Sequence, residues 1–173
     1  MRSKPSLNCW IGTVISHLFI MLQYSEYCRV SLMTYDFSKH SNDLPNAPLL
    51  WVESVVSSFI AAEESFRPKL LLGIPMYGWR GEEAMIGEHS IFMRYRFEFQ
   101  VADTMVVWLV QEEVQVEWDE VAREHIFSGV RRQCAFPTPL FVQQRLGLAK
   151  ELGIAGVALW EVGQMMPMLM DLF

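Results

Sequence analysis

The stretch VSLMTYDF, from Val30 to Phe37, is a short apolar run of β-prone residues that leads into a polar, turn-rich segment, SKHSNDLPNAP. Such a run predicts a buried strand followed by a loop. Tyr35 and Asp36 stand at the end of the run, so they are expected where the strand opens onto the loop. The stretch thus predicts a strand with polar side chains at its carboxyl end.

A helix and a second strand are predicted next. Residues Leu49 to Glu64 place apolar side chains at the three- and four-residue spacing of a helix packed along one face. Asn46-Ala-Pro48 supplies a cap and a first turn for it. The run KLLLGIPMYGW, Lys69 to Trp79, is almost continuously apolar but too short for a typical helix, which favours a strand buried on both faces.

The remaining chain continues this alternation after a mixed segment. Residues Arg80 to Glu117 alternate well enough for strands, although a mixed insertion fits equally. Residues Leu140 to Leu152 have helical spacing, Gly153 ends that helix, and IAGVALWEVG follows as a third apolar strand. Alternating strands and helices predict a parallel sheet with crossover helices, in either a barrel or a doubly wound fold.

Composition limits the classes of function. Of 173 residues, 51% are hydrophobic and 20% are charged, which is enough apolar material for a buried core. A complete (β/α)8 barrel usually needs roughly 250 residues, so a barrel interpretation applies to only part of a barrel. The formal net charge of -6 gives no basic field for phosphates, so nucleic acid is not an expected partner.

Neither a metal site nor a clear membrane span is expected. Cys9, Cys28 and Cys134 form no zinc-ligand spacing, and His125 has no second histidine at ligand spacing. Near the N-terminus, basic residues precede the apolar run from Cys9 to Leu22 in the order of a secretory signal. That run is short, is interrupted by polar residues and is followed by no clear cleavage site, so an ordinary helix or an incorrect gene start remains the alternative.

Three predicted strand ends carry a family resemblance. LMTYDFS (Leu32 to Ser38), LLLGIPMYGW (Leu70 to Trp79) and GIAGVALWEVGQ (Gly153 to Gln164) resemble, in order, the sixth, seventh and eighth barrel strands of glycoside hydrolase family 18. The matching features are M-x-Y-D, G-x-x-x-Y-G and a terminal tryptophan. Within the family, VEWDEVAREHIF and LWEVGQ look most like the chitinase domain-containing branch.

This resemblance implies an α/β fold, the C-terminal portion of a (β/α)8 TIM barrel, incomplete and covering about strands 6 to 8 with a small insertion. It extends from about Val30 to Phe173. Residues 30–173 are therefore predicted to form the partial barrel, with a poorly matching insertion at residues 81–113. Residues 1–29 are left unassigned.

The family's chemistry, as the resemblance implies it, needs a residue that this chain lacks. A glutamic acid closing a D-x-x-D-x-D-x-E run protonates the leaving oxygen, and the substrate's own N-acetyl oxygen is the nucleophile. The aspartates of the chain are not spaced to form that run; they are Asp36, Asp43, Asp103, Asp119 and Asp171. No catalytic residue, cofactor or metal is therefore assigned to this chain.

The resemblance also implies substrate-binding residues. Met33, Tyr35 and Asp36 match the M-x-Y-D positions, where the Tyr-Asp pair contacts the N-acetyl group and neighbouring hydroxyls. The alternatives are a buried phenol for Tyr35 and a loop cap for Asp36. Barrel sites lie at the carboxyl ends of the strands, which is where this pair is predicted.

Aromatic residues on the other two strands complete the candidate site. Trp160 matches the tryptophan that stacks on a sugar ring, with plain core packing as the alternative. Tyr77 and Trp79 could extend the aromatic wall, although core packing is favoured for both. Glu161 is expected to point to the opposite face from Trp160 and is not assigned as an acid. His125 is expected to be a helix-surface or a satisfied core histidine.

These residues favour a chitinase-like protein that binds chitooligosaccharides or related N-acetylglucosamine glycans without hydrolysis. Two alternatives stay open, a part of an active chitinase and a fragment without function. The expected partner is an oligosaccharide, and a protein partner is not identified. Family resemblance favours a secreted or an endomembrane and lysosomal location.

Overall fold

The computed structural model describes residues 28–37, 44–82, 98–130 and 132–173. These residues form a three-stranded parallel sheet and a five-stranded antiparallel sheet. The strands are β1 (Val30–Leu32), β2 (Leu70–Pro75), β3 (Gly78–Glu82), β4 (Glu98–Gln100), β5 (Gln115–Asp119), β6 (Glu124–Ser128), β7 (Arg132–Ala135) and β8 (Gly156–Trp160). The helices are α1 (Leu49–Ala62), α2 (Ala102–Gln111) and α3 (Pro139–Glu151), with 3-10 helices at Glu64–Lys69, Val162–Gln164 and Pro167–Leu172.

The parallel sheet has the order β1-β2-β8, with β2 in the centre. Leu70, Leu72 and Ile74, on one face of β2, are fully buried. Gly73 and Pro75 of the other face are buried as well, as expected for a strand covered on both faces. Helix α1 joins β1 to β2, and α3 precedes β8, which gives the predicted strand and helix alternation. The described residues therefore confirm a parallel α/β sheet.

Both helices of this sheet lie close to their predicted bounds. Helix α1 buries Val52, Val56 and Ile60 at helical spacing against β2. The predicted cap at Asn46 is wrong, because Pro48 precedes the helix without a side-chain bond and the Asn46 amide bonds elsewhere. Helix α3 ends at Glu151, and Gly153 follows in the left-handed region at φ 63°, as a helix stop requires.

The antiparallel sheet is inserted between β2 and α3. Its strand order is β4-β3-β7-β6-β5. The prediction of one continuous strand from Lys69 to Trp79 is wrong, because β2 ends at Pro75 and β3 starts at Gly78 in the second sheet. A side chain at Gly78 would meet the carbonyl oxygen of Ala135 at 2.2 Å, so glycine permits this close strand approach.

Helix α2 departs from the strand-like alternation of the sequence. The segment is helical because Ala102, Met105 and Trp108 repeat every three residues and bury one face. Met105 and Trp108 form a second hydrophobic core with Phe127 of β6 and with Phe136, which follows β7. The predicted insertion, residues 81–113, falls inside this unit, and residues 83–97 lie outside the described residues.

The described ranges contain no helix that is both long enough and apolar enough to span a membrane. The predicted signal-like run, Cys9 to Leu22, lies outside the described residues. In the same ranges, no cluster of three or more His, Cys, Asp and Glu side chains has a geometry suited to a metal ion.

Candidate functional site

The carboxyl ends of the three parallel strands lie side by side. Leu32 at the end of β1 pairs with Leu72, and Pro75 at the end of β2 pairs with Trp160 at the end of β8. Beyond the ladder, the Met76 amide donates to the Trp160 carbonyl at 2.8 Å. The segments that follow the three strands therefore emerge at one edge of the sheet, the edge where barrel sites are built.

Asp36 is the centre of this edge. Its Oδ1 accepts hydrogen bonds from the Tyr77 hydroxyl and from Trp79 Nε1, the latter at 3.0 Å. The Tyr77 ring lies edge-on to those of Tyr35 and Trp79, with centroids 6.3 and 6.0 Å apart. The structure thus brings together four of the residues that the sequence predicted for the site.

The two phenols of this group stay protonated well above neutral pH. Burial raises the pKa of Tyr77, and its hydrogen bond to the Asp36 carboxylate raises it further. Burial and the negative charge of Asp36 also raise the pKa of Tyr35. Both hydroxyls are therefore neutral hydrogen-bonding groups beside a carboxylate.

The backbone at Asp36 is in the left-handed region, at φ 65°. Asn46 spans this turn, since its Oδ1 accepts from the Asp36 amide at 2.8 Å and its carbonyl accepts from the Phe37 amide at 2.9 Å. Its Nδ2 also donates to the Tyr77 carbonyl at 3.1 Å. Asn46 therefore links the Asp36 turn to the segment that carries Tyr77.

A buried ion pair lies behind Asn46. Glu124 of β6 accepts the amides of Asn46 and Ala47 at 3.0 and 2.7 Å. Arg145 of α3 lies 3.6 Å from the Glu124 carboxylate, and both side chains are almost completely buried. Burial raises the pKa of Glu124 against the opposing effect of Arg145, and it lowers the pKa of Arg145 to about 10, so Arg145 is cationic at neutral pH.

Sequence reasoning missed Asn46, Glu124 and Arg145 as parts of this edge. Arg145 did leave a signal, because it occupies a position on α3 between the buried Phe141 and Leu148, four and three residues away. A charge at an apolar helix position indicates a buried partner. Glu124 left no comparable signal, since one glutamate among several in a hairpin looks like a solvated residue.

The other two predicted site residues are exposed. Trp160 keeps 56% of its surface in solvent and Met33 keeps 75%. Tyr77 and Trp79, in contrast, are only 3% and 9% exposed. The edge therefore presents an indole and a thioether to solvent, and Tyr77 and Trp79 lie beneath it.

His125 is outside this group. It lies on β6, so the prediction of a helix-surface position is wrong. The alternative prediction, a histidine with a hydrogen-bond partner, agrees with its contacts. Its Nδ1 is 2.8 Å from Thr138 Oγ1, and its ring contacts Trp118 with centroids 4.7 Å apart. Burial lowers its pKa.

Comparison with solved structures supports the fold assignment. The spore cortex-lytic enzyme SleL of Bacillus cereus superposes with a TM-score of 0.69 at 21% identity, over 83% of this chain and 34% of that protein. YKL-39, solved in the presence of chitooligosaccharides, gives 0.67 at 15% identity, over 83% and 45%. The group IV chitinase of Ostrinia furnacalis gives 0.68 at 18% identity, also over 83% and 45%.

These likenesses show a TIM-barrel-type α/β fold, and the chain spans between a third and a half of the length of these proteins. The family model for glycosyl hydrolases family 18 matches residues 21–164. That match covers most of the sequence and includes all three strands of the parallel sheet. The chain therefore belongs to family 18 of the glycosyl hydrolases.

Proposed function

We propose that this chain binds chitooligosaccharides or related N-acetylglucosamine glycans at the carboxyl edge of its parallel sheet and does not hydrolyse them. The observation that carries the proposal is the Asp36 carboxylate, fixed by Tyr77 and Trp79 at the edge where Trp160 is exposed. A fixed acceptor beside an exposed aromatic face is what a sugar ring requires, because it has hydroxyls at its rim and apolar C–H faces. The proposed binding residues are Met33, Tyr35, Asp36, Tyr77, Trp79 and Trp160.

The two groups of residues have different roles in this proposal. Trp160 stacks on a sugar face, with Met33 as a second apolar contact, and Tyr35 and Asp36 bond to polar substituents. Tyr77 and Trp79 are buried, and both donate a hydrogen bond to Asp36 Oδ1. Their role is therefore to orient the Asp36 carboxylate. Preorganising the acceptor reduces the ordering cost of binding.

Hydrolysis is not proposed, because the chain lacks the acid that the chemistry of the family requires. The D-x-x-D-x-D-x-E run that supplies the family's acid is not encoded in this chain. Asp36 accepts hydrogen bonds from the Tyr77 hydroxyl and Trp79 Nε1, which fits a fixed acceptor for a sugar substituent. What remains is recognition of the glycan.

Three further assignments rest on the family resemblance. We place β1, β2 and β8 as strands six, seven and eight of the barrel. Residues 30–173 form one unit with the insertion at 81–113, and residues 1–29 precede it. A secreted or endomembrane location agrees with a glycan ligand.

Chitotetraose titration followed by tryptophan fluorescence tests binding. We expect a saturable change in the wild-type chain, and we expect Trp160→Ala to abolish it because the stacking face is lost. Trp118→Phe is the matched control, since Trp118 lies on the inserted strand β5, and it should bind like the wild type. A folded wild-type chain whose fluorescence does not respond to saturating sugar would contradict the proposal.

A second candidate is a part of an active chitinase. The observation in its favour is that the chain spans 45% of the Ostrinia furnacalis chitinase. Release of dye from a chromogenic chitobioside by this chain, or an encoded D-x-x-D-x-D-x-E run upstream of Met1 in the gene, would favour it over binding alone.

A third candidate is a fragment without function. In the described residues, β1 and β8 each pair only with β2, so each strand presents an edge that can aggregate. A cooperative circular dichroism melt together with a single compact species on gel filtration would argue against this candidate.

A further inference from the structure

The turn at Asp36 is held by Asn46, a residue outside the strands of the parallel sheet. Residue Asp36 has the left-handed backbone that non-glycine residues rarely adopt, although aspartate tolerates it better than most. Asn46 accepts the two successive amides of this turn, those of Asp36 and Phe37. The direction of the Asp36 side chain therefore depends on where Asn46 lies.

Asn46 is in turn held by Glu124. The two carboxylate oxygens of Glu124 accept separate amides, Oε2 that of Asn46 and Oε1 that of Ala47. Since Glu124 is 1% exposed, water does not compete for these bonds. The carboxylate thus fixes the backbone of the Asn46 turn at two successive points.

Arg145 contacts both Glu124 and the turn that Glu124 bonds. Its guanidinium donates to the carbonyls of Ala47 at 2.5 Å and Arg123 at 2.8 Å. Because Arg145 belongs to α3 and Glu124 to β6, the pair joins the parallel sheet's helix, the Asn46 turn and the inserted sheet at one buried point.

We infer that Glu124 and Asn46 are positioning residues for the sugar site, Glu124 holding Asn46 and Asn46 holding the Asp36 turn. The inserted sheet thereby contributes to ligand binding without a ligand contact from Glu124. This inference rests on the proposed function for its effect on affinity, while the support of the Asp36 turn can be measured without any ligand.

Amide hydrogen exchange by NMR on the full chain tests this inference, with Asn46→Ala as the decisive variant because it leaves both buried charges in place. We expect the Asp36 amide to exchange at least about tenfold faster, equivalent to one lost hydrogen bond, because the variant removes its side-chain acceptor. The Phe37 amide keeps the backbone carbonyl of residue 46 as its acceptor, so its rate should change less. The Leu72 amide in the centre of the parallel sheet should keep its wild-type rate. Chitotetraose should bind about tenfold more weakly.

Glu124→Met combined with Arg145→Met tests the ion pair. Replacing both charges by apolar side chains of similar size preserves packing but leaves the Asn46 and Ala47 amides without their acceptor. Here the Asp36 and Phe37 amides should both exchange faster, because their acceptors on the side chain and the backbone of Asn46 lose the support of Glu124. Glu120→Gln is the control, because Glu120 is an exposed carboxylate near Glu124 that bonds Arg123, and it should change neither exchange nor affinity.

Two results would overturn the inference. One is an Asn46→Ala variant in which the Asp36 amide exchanges no faster, or in which the Leu72 amide accelerates equally. The other is a double variant that does not fold or that leaves both amides at wild-type rates. If the wild-type chain binds no chitotetraose, the proposed function fails, and the exchange rates alone decide whether Glu124 and Asn46 hold the turn.

Discussion

The parallel sheet and the inserted antiparallel sheet of this chain follow different rules. In the parallel sheet, the central strand β2 is buried on both faces and two helices cover it. In the inserted sheet, the outer strand β5 is mostly exposed, and α2 carries Val106 and Val107 on its solvent side. The inserted sheet, although its sequence pattern is weaker, still contributes to the site, because its Glu124 bonds Asn46 and Asn46 bonds the turn that carries Asp36.

Breaking the ion pair between the two regions should have the largest effect. Glu124→Gln leaves the Arg145 charge buried without its partner, so we expect the free energy of unfolding to fall by about 3–5 kcal/mol. Urea denaturation followed by circular dichroism measures this loss. Glu120→Gln should change the free energy by less than about 0.5 kcal/mol. Equal losses in the two variants would show that the pair does not couple the regions.

Truncation of one apolar side chain in each sheet tests the difference in burial between the two sheets. Leu72→Ala creates a cavity in the centre of the parallel sheet, so we expect a loss of about 2–5 kcal/mol in the free energy of unfolding. Val116→Ala on β5, where the side chain is 51% exposed, should cost less than about 0.5 kcal/mol. A similar cost at both positions, measured by the same urea titration, would contradict the difference in burial.

Tyr77→Phe should have a smaller effect that depends on pH. At neutral pH the variant loses the hydrogen bond to the Asp36 carboxylate, which is worth about 1.5–3 kcal/mol. The raised pKa of Tyr77 means that the folded chain keeps this proton where the unfolded chain loses it, above about pH 10. The stabilisation that Tyr77 gives to the folded chain is therefore complete below about pH 10 and is lost as the pH rises further.

The measurement for Tyr77 is the free energy of unfolding of both proteins between pH 7 and pH 11. The gap between wild type and Tyr77→Phe should narrow above pH 10. A gap that stays constant or widens would contradict the raised pKa.

Much of the parallel sheet could be predicted from the sequence. Val52, Val56 and Ile60 show the period of a helix packed on one face, and the run from Leu70 to Pro75 shows the composition of a buried strand. The strand ends also placed Tyr35, Asp36 and Trp160 near one another, because parallel strands end at one edge. The sequence pattern predicts these elements because burial determines which of their positions are apolar.

The rest could not be predicted for physical reasons. Helix α2 is rich in β-branched valine, so local propensity favours a strand. The segment is helical because a helix buries Met105 and Trp108 on one face. The separate strand β3 starts at Gly78, which approaches Ala135 of β7 closely, and these two residues are far apart in sequence. Asn46 looked like a helix cap, but its side chain bonds to the Asp36 amide and the Tyr77 carbonyl.

A sugar site at the carboxyl edge of the parallel sheet is tested by an NMR titration of the ¹⁵N-labelled chain with chitotetraose, read at the tryptophan indole N–H signals. We predict that two indole signals shift until saturation, that of Trp160 at the end of β8 and that of Trp79, which bonds Asp36 from β3. The signal of Trp118 on β5 should stay unchanged. Shifts confined to Trp118, or no shift of any indole signal in the folded chain, would contradict a sugar site at this edge.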